Sequence, residues 1–362
     1  MRTVLEAEAP RVRCPQHGVV VASVTWARHD AGHTYGFDDQ VAWLTTQSCK
    51  STVTELMRIA WRTVGSIIAR VWADVEANTD RFANLRRIGI DEISYKKGHK
   101  YLMVVVDHDT RRLVWAAPGR SSATVREFFD LLGPERCAQI THVSADGADF
   151  IDSIVAVNCP DAVRVADPFH IVKWATEALD EVRRGAWNDA RAQARTEPKR
   201  GTGRPRADAP PRPGNERATA LKGCRYSLWK NPDNLTENQQ IKLTWIATTD
   251  PRLYRAYLLK EGLRLIFTMP YDGAVEALQR WISWARRCRI PAFVKLQKSI
   301  VKHRGRILAA IQHNLSNALI ESTNTKIRLI TRMAFGFKSP QALIALALLS
   351  LGGHRPTLPG RN

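Results

Sequence analysis

Residues 88–117 have the sequence IGIDEISYKKGHKYLMVVVDHDTRRLVWAA, and this stretch decides the fold. It contains three short apolar runs, at 88–93, 101–107 and 112–117, with turn-forming residues between them. Apolar runs of this length bounded by turn residues predict three strands connected in a meander. The first predicted strand contains adjacent acids, Asp91 and Glu92.

After this meander, the pattern predicts alternating helices and strands. The predicted order is a helix over 122–132, a strand over 140–146, a helix over 148–158, a strand over 162–167 and a helix from Pro168 past Glu181. A proline is favourable in the first turn of a helix, where its missing N–H would be unpaired anyway. A meander followed by strand–helix alternation predicts an α/β domain with a mixed sheet and helices on its faces.

Acids stand at the ends of three predicted strands: Asp91, Asp146 and Asp167. Carboxylates gathered at one edge of a sheet repel each other unless a cation lies between them, and such hard oxygen ligands suit Mg²⁺ or Mn²⁺. A pair of these ions can activate a nucleophile and stabilise the leaving oxygen in phosphoryl transfer. Any single aspartate could instead cap a helix or a turn. The repeated placement favours the ligand interpretation for Asp91 and Asp146.

A fourth acid lies far downstream, on a predicted helix that begins near residue 317. Steps of three and four place five polar residues on one face of this helix: Glu321, Asn324, Thr325, Arg328 and Arg332. A carboxylate aligned with an amide and two guanidinium groups fits metal binding beside phosphate binding. The alternative is a solvated helix face.

Composition and charge indicate a nucleic-acid partner. Of the 362 residues, 54 are Lys or Arg and 35 are Asp or Glu, which gives a net charge of +19. Such an excess predicts a polyanionic partner, with DNA or RNA first and an anionic membrane surface second. The hydrophobic share of 44% is typical of globular proteins and excludes collagen, wholesale disorder and a polytopic membrane protein. No apolar run approaches the roughly 20 residues of a membrane span. Because there is also no signal-peptide core and no CxxC pair among six cysteines, we expect a cytoplasmic protein with reduced thiols.

The remaining segments differ in composition and in predicted structure. Three amphipathic helices predicted within 36–80, with Arg62 near the start of the last one, suit a helix-turn-helix-like DNA-binding domain, or alternatively a helical linker or dimerisation unit. Residues 195–217 are basic and rich in Pro and Gly, which predicts a flexible loop.

From Arg286 to Arg306 there are eight cations and no acid, so we predict a helix that contacts phosphates. The alternative is again a solvated face. The residues assigned to phosphate contacts there are Lys295, Lys298, Lys302, Arg304 and Arg306.

Four segments together resemble the DDE transposases of the ISL3 group of bacterial insertion sequences. They are GIDEISYKKGHKY at 89–101, VSADG at 143–147, VADPFHIVK at 165–173 and IESTNTKIRLITRMAFGF at 320–337. The resemblance runs in order from about residue 10 to 355. It implies an RNase H-like core formed by 85–184 and 316–362, interrupted by a helical insertion domain over 185–315.

The resemblance also implies a site and a reaction. Asp91, Asp146 and Glu321 would form the metal-binding triad for two Mg²⁺ or Mn²⁺ ions, with Asp167 and His170 supporting them. Water would cut a strand at the element's end, and the freed 3′-OH would then attack target DNA. We expect a homodimer or higher oligomer on the terminal repeats and the target, at the nucleoid of a bacterium. The residues assigned to DNA binding outside the insertion are Arg62, Lys96, Lys97, Asn324, Arg328 and Arg332.

The N-terminal segment, residues 1–35, departs from the family. Relatives carry a Cys-rich zinc-binding segment, and here Cys14-x-x-His17 resembles only its second half, so we expect a partial zinc-ribbon-like segment. His29 and His33 could complete four zinc ligands with Cys14 and His17.

Two other functions stay open from the sequence. One is a non-catalytic, end-binding remnant or repressor, which the presence of all three acids disfavours. The other is a nuclease without strand transfer, which the long helical insertion before Glu321 disfavours.

Overall fold

A computed structural model describes residues 11–21, 23–28, 31–145, 149–196 and 213–358. The strands in these ranges are β1 (Arg11–Cys14), β2 (Gly18–Val21), β3 (Arg87–Lys96), β4 (Lys100–Asp107), β5 (Arg112–Pro118), β6 (His142–Ala145) and β7 (Val163–Val165). The helices are α1 (Tyr35–Gln47), α2 (Lys50–Met57), α3 (Trp61–Asn78), α4 (Ser122–Leu132), α5 (Pro134–Cys137), α6 (Asp149–Asn158), α7 (Pro168–Thr196), α8 (Pro213–Gly223), α9 (Arg225–Trp229), α10 (Glu237–Thr249), α11 (Pro251–Ile266), α12 (Tyr271–Arg287), α13 (Pro291–Lys302), α14 (Arg304–Gln312), α15 (Ala318–Met333) and α16 (Pro340–Leu351).

The chain divides into two compact units. The first comprises Met1–Thr141, Phe150–Asp161 and Ala318–Asn362, and the second comprises His142–Asp149 and Ala162–Asn317. Both units are therefore built from segments that are far apart in the sequence. The domain boundaries at 184/185 and 315/316 stay a prediction, because compactness groups β6, β7 and α7 with the helices that follow them.

In the first unit, β3, β4 and β5 form the predicted antiparallel meander, with Asp91 opposite Val104 in the β3–β4 pair. The middle strand β4 is buried along most of its length. Helix α15 packs on β3, and helix α16 packs on β5 and α3. Helix α16 is apolar on nearly every side, as expected of a helix enclosed by other elements.

Helices α1, α2 and α3 form a three-helix segment in the same unit. The Thr34 side chain caps α1 by accepting a hydrogen bond from the Phe37 N–H. Asp38, fully buried on α1, pairs with Arg28 at 3.0 Å and with Arg70 of α3 at 3.2 Å. These ion pairs join the segment before α1 to both the first and the third helix.

In the second unit, β6 and β7 pair in parallel, and the remaining elements are helices. The prediction of an all-helical stretch after residue 217 is confirmed. Of the loop predicted over 195–217, residues 197–212 lie outside the described residues, α7 extends to Thr196 and α8 begins at Pro213. The prediction of one helix over 286–306 is wrong: α12 ends at Arg287, α13 covers Pro291–Lys302 and α14 begins at Arg304. Pro291 lacks an N–H and starts a new helix, and Arg289 just before it takes a left-handed backbone with φ of 58°.

The fold is mixed α/β, as the sequence predicts. Antiparallel strand pairs occur in the first unit and a parallel pair occurs in the second, with helices in both. Within the ranges given above, no helix is long and apolar enough to cross a membrane.

Candidate active site and DNA-binding surfaces

Asp91 lies half-buried in the middle of β3, because the strand continues to Lys96, so the prediction that Asp91 ends its strand is wrong. Its carboxylate is held from two sides. Its Oδ2 accepts a hydrogen bond from Asn324 Nδ2 at 2.8 Å, and its Oδ1 accepts one from the Glu92 backbone N–H, also at 2.8 Å. Asn324 belongs to α15 and is 233 residues away in the sequence. One hydrogen bond therefore ties the strand that carries the first predicted metal ligand to the helix that carries the last.

Helix α15 places Glu321 and Asn324 in one row. Asn324 is only 3% exposed, because it lies on the side of the helix that packs on β3 with Ile320 and Ile327. Its Oδ1 is buried and has no hydrogen-bond partner among the described residues. Glu321 stands three residues earlier, in the first turn of the helix, and is exposed. Residues three apart share a helix face, and the helix dipole stabilises a carboxylate in the first turn.

This donor set fits a hard divalent cation. Asp91 and Glu321 provide carboxylate oxygens, and Asn324 provides an amide oxygen without a protein partner among the described residues. Carboxylate and amide oxygens are the ligands that Mg²⁺ and Mn²⁺ prefer. The third predicted ligand, Asp146, lies outside the described residues, directly after β6. Within the part of the chain that the structure describes, no three His, Cys, Asp or Glu side chains come together as a metal site. The triad therefore stays a prediction.

Asp167 is buried and its carboxylate is used within the protein. It accepts hydrogen bonds from His170 Nδ1 at 2.6 Å, from the backbone N–H groups at the start of α7, and from the Asn317 N–H at 3.2 Å. Asn317 is the residue directly before α15. Asp167 and His170 therefore fix both the first turn of α7 and the chain just before the helix that carries Glu321.

The predicted DNA-binding residues of the first unit lie mostly on its surface. Arg62 is the second residue of α3 and is exposed, and Arg328 and Arg332 are exposed on α15. Lys96 and Lys97 are exposed at the β3–β4 hairpin, whose turn contains Gly98 with φ of 82°. Asn324 differs from the others, because its side chain is buried and bonded to Asp91.

The predicted phosphate-binding residues of the second unit follow one side of α13. Its opposite side is buried, so the lysines project from a helix that is fixed to the helical core. The exposed lysines are Lys295, Lys298 and Lys302. Arg304 is also exposed, whereas Arg306 is half-buried and its carbonyl accepts the Ala166 N–H at 3.1 Å.

The Cys14-x-x-His17 pair lies on the hairpin formed by β1 and β2, with Cys14 Sγ 3.3 Å from His17 Nδ1. His29 lies outside the described residues, and the His33 ring stacks on Phe37 at 4.7 Å. Two of the four predicted zinc ligands are thus close together, and zinc binding stays a prediction.

Lys50, Trp61 and Phe335 stand beside Arg62, Lys96 and Lys97, and none of the three was predicted as a site residue. The available signal was an aromatic residue at the start of α3 and another just after the end of α15. Aromatic side chains that stay exposed at such positions are candidates for contacts with a partner.

Comparison with known families identifies the chain. A family model described as a transposase, of the DDE type, matches residues 88–347. A second model, the helix-turn-helix domain of transposase family ISL3, matches residues 22–72. The chain belongs to the ISL3 family of transposases. This ISL3 transposase is 69% identical over 358 residues to the transposase for insertion sequence element IS1557 of Mycobacterium tuberculosis, in strains CDC 1551 / Oshkosh and ATCC 25618 / H37Rv. The match covers 99% of this chain and 81% of the relative.

A more distant relative is the transposase for insertion sequence element IS1001 of Bordetella parapertussis. It is 28% identical over 348 residues, which cover 94% of this ISL3 transposase and 79% of that relative. The helix-turn-helix prediction for the N-terminal helices is confirmed, and the alternatives of a helical linker or a dimerisation unit are not favoured. The match begins at residue 22, before the predicted domain boundary at residue 36. A DNA-binding remnant is not favoured, because the DDE model extends past Glu321.

Proposed function

We propose that this ISL3 transposase cuts DNA at the ends of an insertion sequence and joins the freed 3′-OH ends to target DNA. The hydrogen bond between Asn324 and Asp91 carries the proposal, because it brings the helix that bears Glu321 against the strand that bears the first predicted ligand. The family supplies the reaction class, since its DDE domain covers both elements.

In this proposal, Asp91, Asp146 and Glu321 hold two divalent ions, Mg²⁺ or Mn²⁺. When bound, such ions activate the attacking hydroxyl and stabilise the leaving oxygen of a phosphodiester. Asn324 and the Glu92 N–H hold the Asp91 carboxylate in a fixed orientation. Asp167, with His170, fixes the chain that leads into α15. A ligand whose rotation is restricted by such contacts is preorganised for its ion.

DNA would contact both units. In this proposal α3 is the recognition helix of the helix-turn-helix, and its exposed start, with Arg62, enters the major groove. The other cations would contact the phosphate backbone, which fixes the register of the DNA without reading its sequence. These cations are Lys96, Lys97, Arg328, Arg332, Lys295, Lys298, Lys302, Arg304 and Arg306.

Transposition joins two ends of one element, so we propose a homodimer or higher oligomer on the DNA. Its place of action would be the bacterial cytoplasm, at the nucleoid. Zinc, if bound, would use Cys14 and His17 on the β1–β2 hairpin.

The test is strand cleavage and joining on a labelled duplex that carries the element's end, with Mg²⁺ or Mn²⁺. The parent and Glu321→Gln are compared, with Glu127→Gln, an exposed glutamate on α4, as the matched control. We expect the parent and the control to cut and join and Glu321→Gln to do neither. End binding without cutting by the parent would refute the proposal.

A further inference from the structure

The first unit contains a groove of about 890 Å³, and among its lining residues only Arg62, Lys96 and Lys97 have a role in the proposed function. Its walls come from α1, α3 and the start of α2, from the end of β3, and from α15, α16 and the segment 334–339 that joins them. Pockets that bind small ligands measure roughly 300–1,000 Å³, so this groove has room for a nucleotide and not for a DNA duplex.

The groove is strongly positive. Five of its residues are cations, and none of the described residues that line it carries a carboxylate. The cations are Lys50, Arg62, Lys96, Lys97 and Lys338. This charge complements a phosphate and disfavours an acidic or purely apolar occupant.

Lys50 is the most enclosed of these cations. Its Nζ lies 4.8 Å from the centre of the Trp61 ring and against Gly65, where an added Cβ would approach it to 3.2 Å. Burial lowers the pKa of Lys50, and no carboxylate of the described residues offsets that effect. An ammonium group that is partly desolvated and lacks a counter-ion gains free energy when an anion binds beside it.

Two aromatic side chains stand exposed at the same groove. Phe335 is 84% exposed and Trp61 is 43% exposed. The backbone of Phe335 is left-handed, with φ of 53°, and is fixed because its N–H donates to the Arg332 carbonyl at 3.0 Å. A left-handed conformation is unfavourable for a bulky residue, so the fold holds this ring in the solvent at a cost in free energy.

We propose that this groove binds an unpaired nucleotide of the DNA substrate. The base stacks on Phe335 or Trp61, and the adjacent phosphate contacts Lys50. Aromatic faces combined with a positive groove are how proteins bind single-stranded nucleic acid. The inference rests on the proposed function for the identity of the substrate as DNA, and it adds that one strand is unpaired next to the helix-turn-helix.

The test measures binding of the full chain to a fluorescein-labelled single-stranded oligothymidylate and to a blunt duplex. Phe335→Ala and Lys50→Met are expected to weaken oligothymidylate binding about tenfold, and to weaken duplex binding less. Phe335→Trp keeps an aromatic ring and should bind as the parent does. The controls are Tyr226→Ala, an exposed aromatic outside the groove, and Arg126→Ala, an exposed cation on α4. Neither control should change binding.

Photo-crosslinking with 5-iodouracil in the same oligonucleotide locates the base. We expect crosslinked peptides to contain Trp61 or Phe335. Crosslinks only elsewhere, or Phe335→Ala and Lys50→Met binding the single strand as tightly as the parent, would overturn the inference. If the parent cuts element ends and these variants bind the single strand normally, only the proposal for the groove is refuted. If the parent crosslinks in the groove but never cuts element ends, only the proposed function is refuted.

Discussion

At the scale of single residues, Asn324 has a contact that sequence patterns do not predict. Its position in the polar row of α15 favoured a contact with DNA, but the side chain is buried and donates to Asp91. Helical periodicity describes neighbours three or four residues apart. It carries no information about a partner 233 residues away.

The prediction of Asp91 and Glu321 as metal ligands rests on local signals in the sequence. Asp91 follows an apolar run, and Glu321 opens a helix with a clear apolar stripe, so both signals are local. The Asp91–Asn324 bond and the orphaned Oδ1 of Asn324 depend on how distant elements pack, which no local pattern contains.

Asn324→Ala should raise the Mg²⁺ concentration needed for cleavage and lower the rate about 10–100-fold, because residues that orient metal ligands have effects of this size. The measurement is cleavage rate against Mg²⁺ concentration, together with end binding in the absence of metal, which should be unchanged. Ser322→Ala, at an exposed position of the same helix, is the control. Weaker end binding with an unchanged Mg²⁺ requirement would instead make Asn324 a DNA contact.

At the scale of elements, the helix-turn-helix contains a network of ion pairs that could not be predicted from the sequence. Arg28 and Arg70 converge on Asp38, which is fully buried, and Arg28 also pairs with Asp39 and Asp74. Burial raises the pKa of Asp39, while the neighbouring Arg28 acts in the opposite direction. Charged residues 32 positions apart, such as Asp38 and Arg70, meet only after α1 packs on α3.

Asp38→Ala should destabilise the three-helix segment by about 3 kcal/mol, because it leaves two guanidinium groups without their buried partner. Amide hydrogen exchange in α1 and α3 measures this locally, which matters in a chain with two compact units. Glu55→Ala, an exposed acid on α2, should leave exchange unchanged. Equal protection in both variants would show that the network contributes no stability.

The break in the helix that was predicted over 286–306 could itself have been predicted from the sequence. Pro291 ends the hydrogen-bond ladder of any helix that reaches it, so the break between α12 and α13 has a local signal in the sequence. The consequence for function is small, since α13 alone still aligns Lys295, Lys298 and Lys302 on its exposed side.

At the scale of the whole molecule, the net charge of +19 should make DNA affinity fall steeply with salt. Replacing Lys295, Lys298 and Lys302 with Ala should reduce the slope of log K against log salt by about 2.7, because each neutralised phosphate accounts for about 0.9 of that slope. The control replaces Lys222, Lys230 and Lys242, which are also exposed and change the net charge equally. The same slope for both triple variants would mean that α13 does not bind phosphates.

The division into units was only partly visible in the sequence. The 175 residues between Asp146 and Glu321 indicated a large insertion, because one connection within a compact core is much shorter. That a compact unit would also include β6 and β7 could not be foreseen, since it depends on packing between strands and distant helices.

The packing of α16 on β5 and α3 has a consequence for synthesis on the ribosome. The core of the first unit stays open until residue 351 has been translated, about 210 residues after the segment that ends at Thr141. At about 5–20 residues per second, the nascent chain exposes that apolar surface for about 10–40 s. Helix α15 is made just before α16, so the carboxylate of Glu321 arrives in the same final interval. A nascent chain therefore cannot complete this core or gain that carboxylate before α15 and α16 emerge.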